Sequence, residues 1–315
     1  MPSNSRPQSR ARSAIATGGQ APFFPDPYPG ETIYSIVARY QRIRGLDHVA
    51  LCIDLFGMEK RVFSPTLPTS INRIAMRGAG LGLQPEDLLR ENTAHGYYTA
   101  YATTDAADRL TAEMLPDEGK PVMFAGQRGA PVGLLARLRF CPACLEYMRS
   151  EHEETHWRLI HQIPIVLVCP QHGEILRESV ISGTGVVPGF QVPNSKNCPD
   201  DASPVVAEHV NRDMLARLAM AATETMSKPR RSPVEWRELL RCVLAERDLL
   251  TPAGRLRFTD IQDEINRSLG PIAQAFPRIR LKISSRQTWF DTQMTSSTSS
   301  STDRALLIEL AFGLI

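Results

Sequence analysis

The chain has 315 residues, enough for two or three small domains that each bury a core. Its 42% hydrophobic and 22% charged residues are ordinary for a globular protein, and no run of 18 or more apolar residues is present to span a bilayer. A formal net charge of +2 selects no class of partner, and the stretch from Met1 to Gln20 lacks the apolar run of a signal peptide, so we expect a reducing, cytoplasmic setting.

Residues 1–22 carry Arg6, Arg10 and Arg12 without an acidic residue and read as a disordered basic tail. Pro25, Pro27 and Pro29-Gly30 make an extended lead-in. A helix starting near Glu31 then presents Ile33, Ile36, Val37 and Tyr40 on one stripe and ends at Gly45. Asp47 can cap a second helix through Leu51 and Leu55, stopped by Gly57. A third runs from about Thr69 to Arg77, and Pro85-Glu86 opens a fourth through Leu88 and Leu89. Short helices joined by Gly-containing turns are compatible with a helix-turn-helix unit, and equally with any small helical bundle. A further helix around Asp108 to Met114 and a loop from Pro121 to Gly133 complete an N-terminal helical domain, 23–133.

Leu134 to Phe140 leads into Cys141 as a strand, and Ile163 to Val168, interrupted at Pro164, leads into Cys169 as a second. These bound a central module, 134–182. Residues 183–203, rich in Gly, Pro, Asn and Asp, read as a linker. The remainder, 204–315, is predicted to be a helical domain. Met214, Leu215, Leu218 and Ala221 recur at helical spacing, and Ser232-Pro233-Val234-Glu235 is a capping box opening a stripe of Trp236, Leu239, Leu240, Val243 and Leu244. A helix through Ile261, Ile265 and Leu269 follows, then a flexible Ser/Thr loop over 295–302, then a helix from Ala305 to Phe312 capped by Asp303. The apolar ending leads us to expect that the natural polypeptide continues past Ile315. The expected fold is mainly α with a small β-containing zinc-finger module.

Of the six cysteines, Cys52 and Cys242 fall in helical patterns and read as small buried apolar residues. Cys141-Pro142-Ala143-Cys144 and Cys169-Pro170-Gln171-His172 instead form two knuckles, in which the two-residue spacer lets both ligands of a pair face one ion. Cys141, Cys144, Cys169 and His172 make a closed Cys₃His set, the chemistry of one structural Zn²⁺ with no open position for catalysis. The alternative is a set of reduced, metal-free thiols. Between the knuckles, His152-Glu153-Glu154-Thr155-His156 fits the zinc-protease pattern H-E-x-x-H, but its Arg149-Ser150-Glu151 flank reads as a solvated face. His156 and His161 are expected to hydrogen-bond or pack inside the module. No phosphate-cradling loop and no nucleophile elbow occurs, and the sequence reads as a non-enzyme.

Four segments then occur in a recognisable order: Phe24 to Ser35, Phe140 to Cys144, His156 to Pro164 and Val168 to Glu174. Together they resemble the TniQ/TnsD family of transposon target-selection proteins over Phe23 to about Leu176. The resemblance implies an N-terminal helix-turn-helix region, a zinc-finger module with Cys141, Cys144, Cys169 and His172 as ligands, and a helical C-terminal part. It implies a nucleoid-associated adaptor that joins double-stranded DNA, or a CRISPR RNA-guided complex on DNA, to an AAA+ ATPase of the TnsC type and so directs the transposase. The alternative is an adaptor that bridges a CRISPR effector and the ATPase through protein contacts alone. Longer TnsD-type members carry a further C-terminal region that reads an attachment site. A DNA adaptor needs cations facing phosphates. The candidates are Arg39, Arg42, Arg44, Lys60, Arg61, Arg73 and Arg77 in the N-terminal helices, Arg137, Arg139 and Arg158 beside the knuckles, Lys228, Arg230 and Arg231, and Arg278, Arg280 and Lys282.

Overall fold

The architecture comes from a computed structural model that describes residues 23–59, 63–117, 135–183, 189–276, 290, 293–294 and 301–315. The predicted basic tail, the loop over 121–133, Lys60, Arg61, Arg278, Arg280, Lys282 and most of the Ser/Thr segment lie outside the described residues.

Thr32 starts α1 (Ile33–Arg44) by accepting the Ser35 amide, and the predicted stripe of Ile33, Ile36, Val37 and Tyr40 is fully buried. Tyr34, Ser35, Ala38 and Arg39 are buried as well, so over its first two turns α1 is a central helix and not a one-sided surface helix. The three-residue turn Gly45–Asp47 leads to α2 (His48–Phe56), capped by Asp47 as its sequence requires. After these come α3 (Ile71–Arg77), α4 (Pro85–Glu91), α5 (His95–Thr99) and α6 (Thr104–Met114).

In the central module β1 (Arg137–Phe140) pairs antiparallel with β2 (Arg177–Ser182), Arg139 opposite Glu178 and Phe140 opposite Arg177. The second expected strand, Ile163 to Val168, does not form, and the physical reason is visible at β1. The guanidinium of Arg139 reaches the carbonyls of Pro164 and Val166, both at 3.1 Å, and takes acceptors that a neighbouring strand would use. Ile160–Gln162 is a 3₁₀ turn, and Val168 makes only a single bridge to Ile175. β1 runs directly into α7 (Pro142–His152).

The C-terminal helices are α8 (Arg212–Ser227), α9 (Pro233–Glu246), with its capping box formed, α10 (Phe258–Leu269) and α11 (Thr302–Ala311). The N-cap residue of α11 is Ser301, and Asp303 does not cap the helix: its carboxylate is buried and accepts the Tyr97 hydroxyl at 2.5 Å. Tyr101 and the Trp236 indole both donate to Glu309, at 2.9 and 3.0 Å. These bonds dock α11 and α9 on the segment that follows α5. α5 also meets α8 closely: a Cβ on Gly96 would lie 2.5 Å from the Met226 carbonyl oxygen, so only glycine fits there.

Residues of the predicted linker pack against the N-terminal helical region and the central module. Phe190 lies 5.1 Å from Tyr34 and 5.3 Å from Phe63 between ring centroids, and the backbone carbonyls of Gln191 and Pro193 accept from Trp157 and Thr155. Cys52 is buried as expected, whereas Cys242 is exposed, because the buried stripe of α9 passes through Trp236, Leu240 and Leu244.

Candidate metal centre

Cys141 ends β1 and stands at the N-cap of α7, with Pro142 at the first helical position, where its missing N–H is no loss. Cys144 lies in the first turn, so both sulfurs sit at the positive end of a helix dipole, which favours thiolate. The second knuckle is a backbone turn: the Cys169 amide donates to Glu174 at 2.7 Å and the Gly173 amide to the Cys169 carbonyl at 2.9 Å. Gly173 has φ of +67°, which turns the chain back behind His172 and strains any residue with a side chain.

The four ligand atoms lie within 4.8 Å of one another, and all three cysteines are buried. His172 turns Nδ1 to three sulfurs, at 3.6 Å from Cys141, 3.3 Å from Cys144 and 3.7 Å from Cys169, while Cys144 and Cys169 are 3.6 Å apart. A tetrahedron with bonds of about 2.3 Å to sulfur and 2.0 Å to nitrogen has edges of roughly 3.5–3.8 Å. The four residues therefore fit a tetrahedral cation. Their electrostatics agree. Three such thiols cannot all ionise by themselves: hydrogen bonds from Cys141 and Cys144 hold Cys169 far below the usual thiol range. The bonds to Cys144 and Cys169, with burial, push Cys141 far up. Cys144 receives a lowering contribution from Cys141, outweighed by Cys169 and burial. A divalent cation would stabilise all three as thiolates.

The four sequence segments meet here. The Thr32 amide donates to the Trp157 carbonyl at 3.0 Å, the Leu159 amide to Gly30 at 2.7 Å, and Glu31 bridges Arg158. Arg158 in turn donates to the Cys144 sulfur at 3.3 Å, and His161 Nε2 lies 3.9 Å from the same atom. Burial lowers the pKa of His161, keeping the imidazole neutral. The H-E-x-x-H stretch is not a helix: α7 ends at His152, and Glu153 adopts φ of +53°. The two imidazoles therefore do not share a helical face. Each stacks on Tyr28, His152 at 5.1 Å and His156 at 4.7 Å, and burial lowers His156 to a pKa of about 3. Glu154 is bound by Arg39 at 2.7 Å, and also by Arg42 and the Tyr28 hydroxyl.

Several basic candidates make internal contacts. Arg39 is 5% exposed, pairs with Glu31 at 2.8 Å and Glu154, and covers the Tyr28 ring. Arg139, also 5% exposed, is engaged with the carbonyls beneath β1, and burial lowers it to a pKa of about 10. Both guanidiniums are buried against internal acceptors. Arg73 donates to the Phe56 carbonyl at 3.0 Å, Arg77 pairs with Asp54 at 3.4 Å, and Arg44 reaches the Tyr40 hydroxyl at 3.1 Å. Arg137 is exposed on β1 and bonds the Val180 carbonyl. Lys228, Arg230 and Arg231 are exposed together between α8 and α9, held by Glu224, Thr104 and, more loosely at 3.7 Å, Glu309. Sequence reasoning missed the acidic anchors Glu31, Asp303 and Glu309, since nothing local marks a carboxylate as buried.

The fold and site thus define a mainly helical protein with a small two-stranded sheet that carries, among the described residues, a Cys₃His candidate metal centre. Residues 22–176, just under half of the chain, match the family described as TniQ. Over 156 residues it is 26% identical to the transposon Tn7 transposition protein TnsD of Escherichia coli, covering 49% of this chain and 31% of that protein. The chain thus spans about a third of that relative's length. Among the described residues no helix is long and apolar enough to cross a membrane.

Proposed function

We propose that the chain is a target-site selector and adaptor of transposition, without chemistry of its own. It binds target DNA, or an RNA-guided complex on DNA, and recruits an AAA+ regulator of the TnsC type that directs the transposase. The observation that carries this reading is the joining of all four sequence segments into one packed unit at the Cys₃His cluster, within the region that matches the TniQ family. Cys141, Cys144, Cys169 and His172 would hold one structural Zn²⁺, which supplies a rigid cross-link between β1–α7 and the second knuckle. Duplex affinity measured against salt tests the DNA component: log K is expected to fall linearly with log salt. Absence of binding to both duplex and ATPase at low salt would sink the proposal.

A second reading, an adaptor acting through protein contacts alone, is favoured by the internal pairing of Arg39, Arg42, Arg73, Arg77 and Arg139. Capture of the ATPase that survives nuclease treatment, with no salt-sensitive duplex binding, would select it.

A further inference from the structure

Arg158 differs from the other basic candidates because its guanidinium is directed at the metal centre. Its Nη1 donates to the Cys144 sulfur at 3.3 Å and also to the side-chain oxygen of Gln171, the spacer residue of the second knuckle. Its backbone is held from two sides, by the bridge to Glu31 and by Gln162, which donates to its carbonyl at 3.1 Å. Three thiolates and an imidazole around a divalent cation leave one net negative charge, and all three sulfurs are buried. A guanidinium is the side chain that stays cationic in such a place and can donate two N–H bonds in fixed directions. Cys141, by contrast, lies 3.5 Å from the Glu174 carboxylate.

We propose that Arg158 is a positioning residue of the metal centre, an N–H donor to the Cys144 sulfur that neutralises the cluster and ties the two knuckles together. It rests on the zinc reading above. In this role it is not a phosphate contact, although its sequence position beside the knuckles suggests one. The arrangement also makes the sulfurs unequal. Cys144 is shielded by N–H donation, whereas Cys141, next to a carboxylate, keeps the greater electron density and reacts first with an electrophile.

The test uses the full chain with Arg158→Met, which keeps the length and removes the donors, and Arg158→Lys, which keeps the charge. Zinc affinity is read by competition with a chromogenic chelator, and the order of cysteine alkylation by N-ethylmaleimide is mapped by mass spectrometry. Loss of a partner of this kind typically costs about 10–100-fold in metal affinity. That loss is expected for Arg158→Met, with part recovered in Arg158→Lys. Cys141 should be alkylated before Cys144 in the parent chain, and Cys144 should gain reactivity in Arg158→Met. If Arg158→Met folds only with excess zinc, that outcome also supports the proposal. Parent-like zinc affinity and alkylation order in Arg158→Met would overturn it. So would duplex affinity that drops in Arg158→Met at full zinc occupancy, which would return Arg158 to the phosphate contacts. A parent chain that binds no zinc removes the zinc reading itself, and this inference with it.

Discussion

The carboxylate of Asp303 offers a measurement of how α11 is docked. It is 1% exposed, its Oδ1 accepts the Tyr97 hydroxyl, and its Oδ2 has no partner. Burial raises its pKa from 3.8 to about 6, against smaller lowering contributions from Tyr97 and Arg304. The folded chain therefore holds this proton more tightly than the unfolded chain. The stabilisation is complete below the unfolded value of 3.8 and is lost as pH rises through about 6. At about 1.4 kcal/mol per tenfold change in affinity, the full loss is about 3 kcal/mol, most of it between about pH 4 and 7. Asp303→Asn keeps the acceptor for Tyr97 and cannot ionise. Urea unfolding of both chains across this range should show the variant gaining about 2–3 kcal/mol relative to the parent as pH rises. Any constant cost of the buried amide cancels in that comparison. Parallel stability curves would refute the argument and mean that Asp303 is solvated.

Cys169→Ser is expected to abolish zinc binding and unfold the central module, because binding energy is folding energy in so small a lobe, and limited proteolysis with metal analysis checks this. A folded variant holding one equivalent of zinc would show that the ligand set is wrong. Gly96→Ala forces a Cβ to within 2.5 Å of the Met226 carbonyl, so a loss of about 1–3 kcal/mol in urea unfolding is expected, and parent-like stability would show that α5 and α8 do not meet closely. Glu153→Gln alters an exposed residue beyond the end of α7 and should leave zinc content and stability within about 0.5 kcal/mol of the parent. A change in either would revive a role for the H-E-x-x-H stretch.

Much of the local structure was legible because its determinants are local. Asp47 and Ser232 each satisfy an amide three residues on, Pro233 fits the first helical position, and the 3.6-residue stripes of α1, α9 and α10 are counted off directly. The errors fall where a distant group intervenes. Ile163 to Val168 has the composition of a buried strand, but Arg139 takes the carbonyls of Pro164 and Val166, and the strand that forms beside β1 is the polar-looking Arg177–Ser182. Asp303 stands where a cap is expected, yet Tyr97, more than two hundred residues earlier, draws it inward.

What the sequence by itself determined was the set of candidate metal ligands, because two residues of spacer and a following proline bring each pair to one side of a turn whatever surrounds it. Only the tertiary structure decided which charges are available to a partner. An arginine looks the same along the chain whether it faces solvent or a buried carboxylate. It took the folding of Glu154 onto α1, of Pro164 and Val166 beneath β1, and of Cys144 beside Arg158 to separate the residues that hold this protein together from those left on its surface.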